Sequence, residues 1–536
     1  MTDSPRRLLI LSDLHLGRDC KAITGFERSV RPDPGFDVAF IDMLTLYTDG
    51  KESEWRLIFA GDFIDFVEVV LVPDEKGPAN LLLSFEPSRE ERSYGLGTEA
   101  ERALVKLEMT LDYHRAFFEA VARFVRRGGE LVIMRGNHDA EMHWRKVQRV
   151  LRRRLAEHAF RGTEYDLDEL LEERGSFQSR IEFSPWCYVE PGRVYVEHGH
   201  QYDAYCSFDH QLYPVSPSDP KRIDTPLFMF AMRYFVNMMT DFLPHSVQQW
   251  RLRDYWQWLR EKGPSGVLYA VRMGVGAAGR AILYAAQFAY GRVGRHNREH
   301  ARRLVEEAER YRVPVDKLRE IDALHDTPIT RNLSELMRLL FLDRVLLVFA
   351  SLLLTLLVLV VFDDVWFELA GIVLVGLAAH RINHKLEPRR FLVPGPKEAQ
   401  AAAQIAAILD VPLVVMGHSH VRRLSDLGDG RMYVNTGCWL PPPPERDHKD
   451  PEAPCTCKLS HLVVEGHRPE LRVFCKATKT VREADVQVSP PRASDSDPPD
   501  EAFDATVTLV PAAAPGQPRA DEVGERDGGR HHRSAR

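Results

Sequence analysis

Leu8-Leu9-Ile10-Leu11-Ser12-Asp13-Leu14-His15 runs four apolar residues straight into two side chains able to bind a cation. A short, unbroken apolar run bounded by turn chemistry predicts a buried strand that ends where Asp13 and His15 stand. The figure recurs. Residues 57–60 precede Gly61-Asp62-Phe63-Ile64-Asp65, and residues 131–134 precede Arg135-Gly136-Asn137-His138-Asp139. Residues 194–196 precede Glu197-His198-Gly199-His200, and residues 413–416 precede Gly417-His418-Ser419-His420. Between the second and third runs, Leu104, Leu107, Leu111, Phe117, Phe118, Val121, Phe124 and Val125 have helical spacing. Thr98-Glu99-Ala100-Glu101 fits a capping box before that helix, and Gly128-Gly129 supplies its stop. Strand, helix, strand with polar residues at the strand ends is the grammar of a layered α/β protein.

Singly, each of these polar residues has a plain explanation: Asp and Asn favour turns, and an isolated His is usually polar surface. Together, Asp13, His15, Asp62, Asn137, His198, His418 and His420 stand at the ends of separate predicted strands, where an α/β sheet opens its site. A carboxylate can bridge two cations, imidazoles complete each ligand set, and Asn offers a neutral carbonyl oxygen. With no thiolate among them the set suits Mn²⁺, Fe or Zn²⁺. Two such ions about 3.5–4 Å apart clamp a phosphate and activate a bridging water.

Asp13-Leu14-His15, Gly61-Asp62-Phe63-Ile64-Asp65, Gly136-Asn137-His138-Asp139, His198-Gly199 and Gly417-His418-Ser419-His420 resemble, in order, the five motifs of the calcineurin-like metallophosphoesterases. Tyr433-Val434-Asn435-Thr436-Gly437 looks like the closing strand of that family. The resemblance covers residues 6–205 and 395–480, and implies a four-layer α/β/β/α sandwich. It further implies that Asp13, His15, Asp62 and His420 hold one divalent ion, with Mn the first expectation. Asp62 then bridges to a second ion completed by Asn137, His198 and His418. His138 is implied to lie over the phosphate, donating to the developing charge or protonating the leaving oxygen, with Asp65 orienting it. Turn capping competes as an explanation for Asp65 and Asp139, and His200 is either a support for the site or surface. Lipid-processing relatives such as UDP-2,3-diacylglucosamine diphosphatase share Ser12-Asp13-Leu14-His15-Leu16 and also insert helices between these motifs. They typically carry Arg where this sequence has His138.

The 220 residues from His198 to His418 exceed what such a core needs, so residues 214–394 read as a helical insertion between two core parts, 1–213 and 395–484. Residues 227–243 are apolar except for one narrow stripe: Arg233, Asn237, Thr240 and Asp241. Residues 267–290 are rich in Ala and Gly. Both segments fit either the core of the insertion or an adaptable apolar surface. Residues 345–362 carry no charge and make about 27 Å of helix. Asp363-Asp364 follows, then residues 365–379, interrupted only by Glu368. A membrane hairpin over 345–379 is expected, either spanning or re-entrant. The motifs flank it, so an even number of crossings is required. Arg331, Arg338 and Arg344 before it, and Arg381, Lys385, Arg389 and Arg390 after it, place both ends in the cytoplasm.

Lys and Arg number 71 against 78 Asp and Glu, leaving −7, which excludes nucleic-acid binding by bulk positive charge. Seven cysteines without framework spacing fit a reducing compartment, and Cys455-Thr456-Cys457 alone is a weak zinc signal. No signal peptide is legible before Ser12-Asp13. From Asp485 onward, Pro, Ser, Asp, Ala and Gly predict a disordered tail. The expectation is a dinuclear metal-dependent phosphoesterase acting on a phosphate ester or pyrophosphate, with a lipid-linked substrate in view. A metal-dependent nuclease or cyclic-nucleotide phosphodiesterase is the alternative.

Overall fold

Strand β1 (Arg7–Leu11) shows why the first apolar run is unbroken. Leu9 and Leu11 enter one apolar core and Leu8 and Ile10 another, so both faces of the strand are buried. The computed structural model describes residues 5–484 except 19, 24–26, 30–33, 74–83, 163–165, 239–251, 290–293, 341, 386–395, 441–457 and 477. The predicted tail, Thr240 and Asp241, and Cys455-Thr456-Cys457 lie outside the described residues.

In chain order the remaining strands begin with β2 (Lys21–Ile23), β3 (Glu27–Ser29), β4 (Trp55–Ala60), β5 (Glu130–Met134), β6 (Ile181–Ser184), β7 (Cys187–Glu190) and β8 (Val194–Glu197). After the insertion come β9 (Leu413–Met416), β10 (Arg423–Gly428), β11 (Arg431–Asn435), β12 (Trp439–Leu440), β13 (Lys458–Glu465), β14 (Arg468–Cys475) and β15 (Thr480–Glu483). All five apolar runs are strands. The first sheet has the order β15-β14-β13-β1-β4-β5-β6, with β12 beside β13; β1, β4, β5 and β6 are parallel. The second has the order β10-β11-β9-β8-β7, with β8, β9 and β11 parallel; β2 and β3 form a separate hairpin.

Helices α1 (Pro34–Thr48), α2 (Arg89–Tyr94), α3 (Ala100–Tyr113), α4 (Arg115–Arg126), α5 (Arg145–Ala159) and α6 (Leu167–Ser179) precede the insertion. Within it lie α7 (Leu227–Tyr234), α8 (Leu252–Ala289), α9 (Gly294–Tyr311), α10 (Val315–Asp322), α11 (Leu333–Leu339), α12 (Leu342–Val361) and α13 (Val365–Lys385); α14 (Pro396–Leu409) follows. The first core joins Leu9, Leu57, Phe59 and Ile133 to α1, α3, α4 and α5 through Phe40, Leu107, Phe117 and Leu151. The second joins the two sheets, through Ile10, Ile58, Val196 and Val414, and takes in Ile405 of α14.

Three local expectations need correction. The helix predicted between β4 and β5 is two helices, α3 and α4, broken at His114 (φ −103°, ψ 38°), whose Nδ1 lies 2.8 Å from Asp37 Oδ1. Thr98 does not open a capping box. Glu99 is the N-cap and makes no side-chain bond there, because the Thr98 hydroxyl instead accepts the Ile223 amide at 3.1 Å. A capping box does form one helix earlier, between Ser88 and Glu91. Finally, α9 and α10, inside the predicted insertion, place Leu304, Leu318 and Ile321 in the second core, so these two helices belong to the main body.

The polar stripe of α7 faces inward. Arg233 donates to Gly95 O at 2.8 Å, and Asn237, just beyond the helix, to Val67 O at 2.9 Å. The hairpin α12–α13 is the opposite case, with no buried residue in either helix. A Cβ added at Gly371 would meet Val358 Cγ1 at 2.6 Å, so this glycine sets the close approach of the two helices. Helix α13 runs well past the apolar run that ends at 379, to Lys385, and its 21 residues span about 32 Å. Gly263–Ala286, Leu342–Val361 and Val365–Lys385 are all long and apolar enough to cross a membrane.

Candidate metal centre

Each strand end delivers its side chains within a few residues. β1 leads to Asp13 and His15, β4 to Asp62 and Asp65, β5 to Asn137 and His138, β8 to His198, and β9 to His418 and His420. Parallel pairing puts these ends together within each sheet. Backbone bonds then tie the turns to one another: Asp13 N to Gly61 O (3.2 Å), His15 N to Asp62 O (2.9 Å) and Gly417 N to His198 O (2.9 Å).

Nine non-glycine residues among those described have φ in the left-handed region, and five are Asp13 (55°), His15 (48°), Asp62 (50°), His418 (66°) and His420 (57°). Such a conformation costs of order 1–3 kcal/mol per residue and persists only where the surroundings impose it. Its concentration on the proposed ligands marks a site whose side-chain directions outrank backbone comfort. Gly61 shows the same pressure: at φ +89°, a Cβ there would stand 2.5 Å from His198 Cγ.

Six of the seven predicted ligands meet. His15 Nε2 is 3.3 Å from His420 Nε2, and these nitrogens lie 3.9 and 3.0 Å from Asp13 Oδ1. His198 Nε2 is 3.1 Å from Asp62 Oδ2, 3.1 Å from Asn137 Oδ1 and 3.9 Å from Asp13 Oδ1. His15 Nε2 and Asp62 Oδ2, 3.8 Å apart, join the two halves. Two donors each about 2.1 Å from one ion stand about 3.0 Å apart at a right angle and about 3.4 Å at the tetrahedral angle. Four of the seven spacings, 3.0–3.3 Å, fall in this range, and the other three are 3.8–3.9 Å. Asp13 Oδ1 adds a second test: it is buried and accepts no hydrogen bond among the described residues, a cost of roughly 1–3 kcal/mol that a cation would remove. The residues therefore fit metal ions, and the buried His/Asp groups could hold them.

Charge is held in the ionised form. Burial pushes the Asp13 and Asp62 carboxyls up, but His420 and His198 around Asp13, and His198 and His138 around Asp62, keep both well below the usual carboxylate range. His198 Nδ1 lies 2.9 Å from Ala60 O, which aims Nε2 at the carboxylates.

His138 and Asp65 form a pair beside the ligands. Asp65 Oδ2 lies 2.9 Å from His138 Nδ1 and 2.8 Å from His15 Nδ1, so one oxygen orients both imidazoles. Its Oδ1 accepts the Val67 and Glu68 amides at 3.0 and 2.7 Å. Turn capping and imidazole orientation, alternatives in the sequence, are both true of Asp65. Burial opposes a charge on His138, yet Asp65 and then Asp62 raise its imidazole to about 10. Asp139 is a turn cap, accepting Gly136 N at 2.6 Å and Phe63 N at 2.8 Å. His200 is buried rather than superficial, with Nε2 3.3 Å from Gln211 Oε1 and its ring 5.3 Å from that of His198.

His418 sits beside the cluster rather than within it. Its ring centroid is 5.4 Å from that of His198, its backbone N donates to Asp13 Oδ2 at 3.0 Å, and its Nε2 faces Asp203 Oδ2 at 3.2 Å. Asp203 and Cys206 form with it a further buried group able to take a metal. Sequence reasoning missed Asp203; its only signal is its place five residues after His198, and an Asp in a loop is otherwise ordinary. Phe228 of α7 was missed too, and its ring lies 5.1 Å from that of His138.

Fold and site define a mixed α/β protein whose parallel strands end in a buried carboxylate–imidazole centre with metal-binding geometry. Comparison with protein-family models, with curated proteins and with solved structures finds no match for this chain.

Proposed function

We propose that this chain is a membrane-held, dinuclear metal-dependent phosphoesterase of the calcineurin-like kind, hydrolysing a phosphate ester or pyrophosphate. The observation that carries this reading is the meeting of six donors from Asp13, His15, Asp62, Asn137, His198 and His420 at 3.0–3.9 Å contacts. Helices on the outer face of the first sheet, a core joining two sheets, and α14 beyond the second favour the four-layer arrangement of that family.

Asp13, His15, Asp62 and His420 would hold one ion, and Asp62, Asn137 and His198 the other, with His418 beside them turned toward Asp203. Divalent ions there supply positive charge that polarises a phosphoryl group and acidifies water. The chain's own part is positioning and proton transfer. Asp65 fixes the His138 ring through Nδ1, leaving Nε2 to give its proton to the departing oxygen. Asp65 also fixes His15, so the acid and one ligand share a single anchor. Phe228 packs against the His138 ring, its centroid 5.1 Å away. Basic residues on both flanks of the hairpin favour a cytoplasmic catalytic body.

The test is hydrolysis by the purified full chain, with Mn²⁺ added back after chelation. Substrates are a phosphomonoester, a phosphodiester, a nucleotide–lipid pyrophosphate and single-stranded DNA. Turnover of one of the first three, abolished by chelator and restored by Mn²⁺, is expected. Preference for single-stranded DNA would transfer the assignment to a nuclease, and no turnover with Mn²⁺, Fe²⁺ or Zn²⁺ would refute it.

A further inference from the structure

Gly263–Ala286 passes the length and hydropathy tests for a membrane span, yet its position in the chain forbids crossing. Before it, α7 is seated on the main body through Arg233, Asn237 and the contacts of Met229 and Met232 with Val67. After it, α9 and α10 sit in the core that joins the two sheets. Both neighbours are therefore on one side of any bilayer. Among the described residues the one other helical stretch between them, residues 252–262, carries Arg253, Asp254, Arg260, Glu261 and Lys262 and cannot make the return. The break at Gly263 (φ 66°), followed by Pro264, separates this charged stretch from the apolar one.

A helix that cannot cross still has to hide its surface. At 100° per residue, Ala270, Ala277, Ala281 and Ala285 share one face, and all four are buried, against α7 and against Ile329 and Leu336. Leu268, Val271, Val275 and Leu283 occupy the opposite face and are 71, 55, 67 and 65% exposed. One face is thus built of small residues for packing, the other of large aliphatics with nothing over them among the described residues.

We infer that the face of Leu268, Val271, Val275 and Leu283 lies in the lipid leaflet, as an in-plane helix beside the hairpin. Continuity decides for lipid over a protein partner. Helix α11 packs against both α8 and α12, so the in-plane helix and the exposed hairpin leave the body from one base. The hairpin itself, with no buried residue in either helix, shows bare aliphatic surface of the same kind away from the seam between its two helices. A bilayer that receives the hairpin meets this face at its surface, where an apolar stripe buries to the head-group and acyl boundary.

The described cysteines are buried, so Cys455→Ser and Cys457→Ser in the full chain leave a background for single labels. A bimane at Val275→Cys is read in phosphatidylcholine–phosphatidylglycerol vesicles carrying a nitroxide either near the glycerol backbone or near the acyl terminus. Bimane at Leu357→Cys in the hairpin is the companion. At position 275 the shallow nitroxide should quench about twofold or more better than the deep one. Stronger deep quenching at 275 would make the helix a span and overturn the inference. Absence of quenching at 275 while 357 is quenched would overturn it alone, and absence at both would overturn the membrane reading with it. None of these outcomes depends on phosphoesterase activity.

Discussion

His138→Ala should lower turnover by about 10²–10⁴-fold while bound metal stays unchanged. The His138 side chain bonds Asp65 and its ring lies 4.6 Å from that of His15, while its bond to Asp62 comes from the backbone amide, which alanine keeps, so the six donors should stay in place. Asp62→Asn should do the reverse. Asp62 Oδ2 stands 3.1 Å from His198 Nε2 and 3.8 Å from His15 Nε2, between the two proposed ligand sets, and loss of its charge weakens both. That variant should lose metal and, with it, essentially all turnover. Its Oδ1 also accepts the His138 amide at 2.8 Å, a bond that Asn can still accept, which keeps the turn folded. Metal content by plasma mass spectrometry, beside turnover and a thermal melt, reads all three effects. Equal metal and equal activity in the two variants would refute the division of roles.

Full-length protein should stay in the membrane pellet through a high-salt wash and enter solution only with detergent. A chain lacking residues 342–385 should keep its metal and lose the salt-resistant attachment, with only the shallow apolar face of α8 left to hold it to the bilayer. Leu352, Leu357, Val360, Trp366, Leu374 and Leu377 are 56–76% exposed in the two hairpin helices, and no residue of either is buried. Each centrally placed Leu, Ile, Phe or Val favours insertion by roughly 0.3–0.6 kcal/mol, which over two such helices outweighs Glu368 near one end. Asp364 holds the turn by accepting the Trp366 amide at 2.9 Å, so its charge sits at the tip, where an interface or water can receive it. Every proposed ligand lies outside 342–385. Full-length protein in a detergent-free supernatant would end the membrane reading.

The strands and the strand-end residues were legible because the physics is local. An apolar run of three or four residues closed by turn residues, Asp, Asn or His announces both a buried strand and its exit, and all five runs became strands. What escaped was set by distant partners. The Thr98 hydroxyl serves Ile223, 125 positions away, rather than its own helix. His114 breaks a helix because Asp37, 77 residues earlier, holds its ring. Helices α9 and α10 lie inside a span whose composition reads as insertion, yet pack beneath the second sheet. Arg233 and Asn237 form a polar stripe that in isolation suggests a wet face; carbonyls of Gly95 and Val67 take it inward. Asp203 facing His418 has the same character, since no spacing rule brings a loop Asp to a residue 215 positions on.

The most direct test of the account is the number of metal ions bound by purified full-length protein after chelation and saturation with Mn²⁺. Two equivalents per chain are predicted, falling to one or none in Asp62→Asn with the fold intact. A folded wild-type chain that binds no Mn²⁺, Fe²⁺ or Zn²⁺ would contradict it.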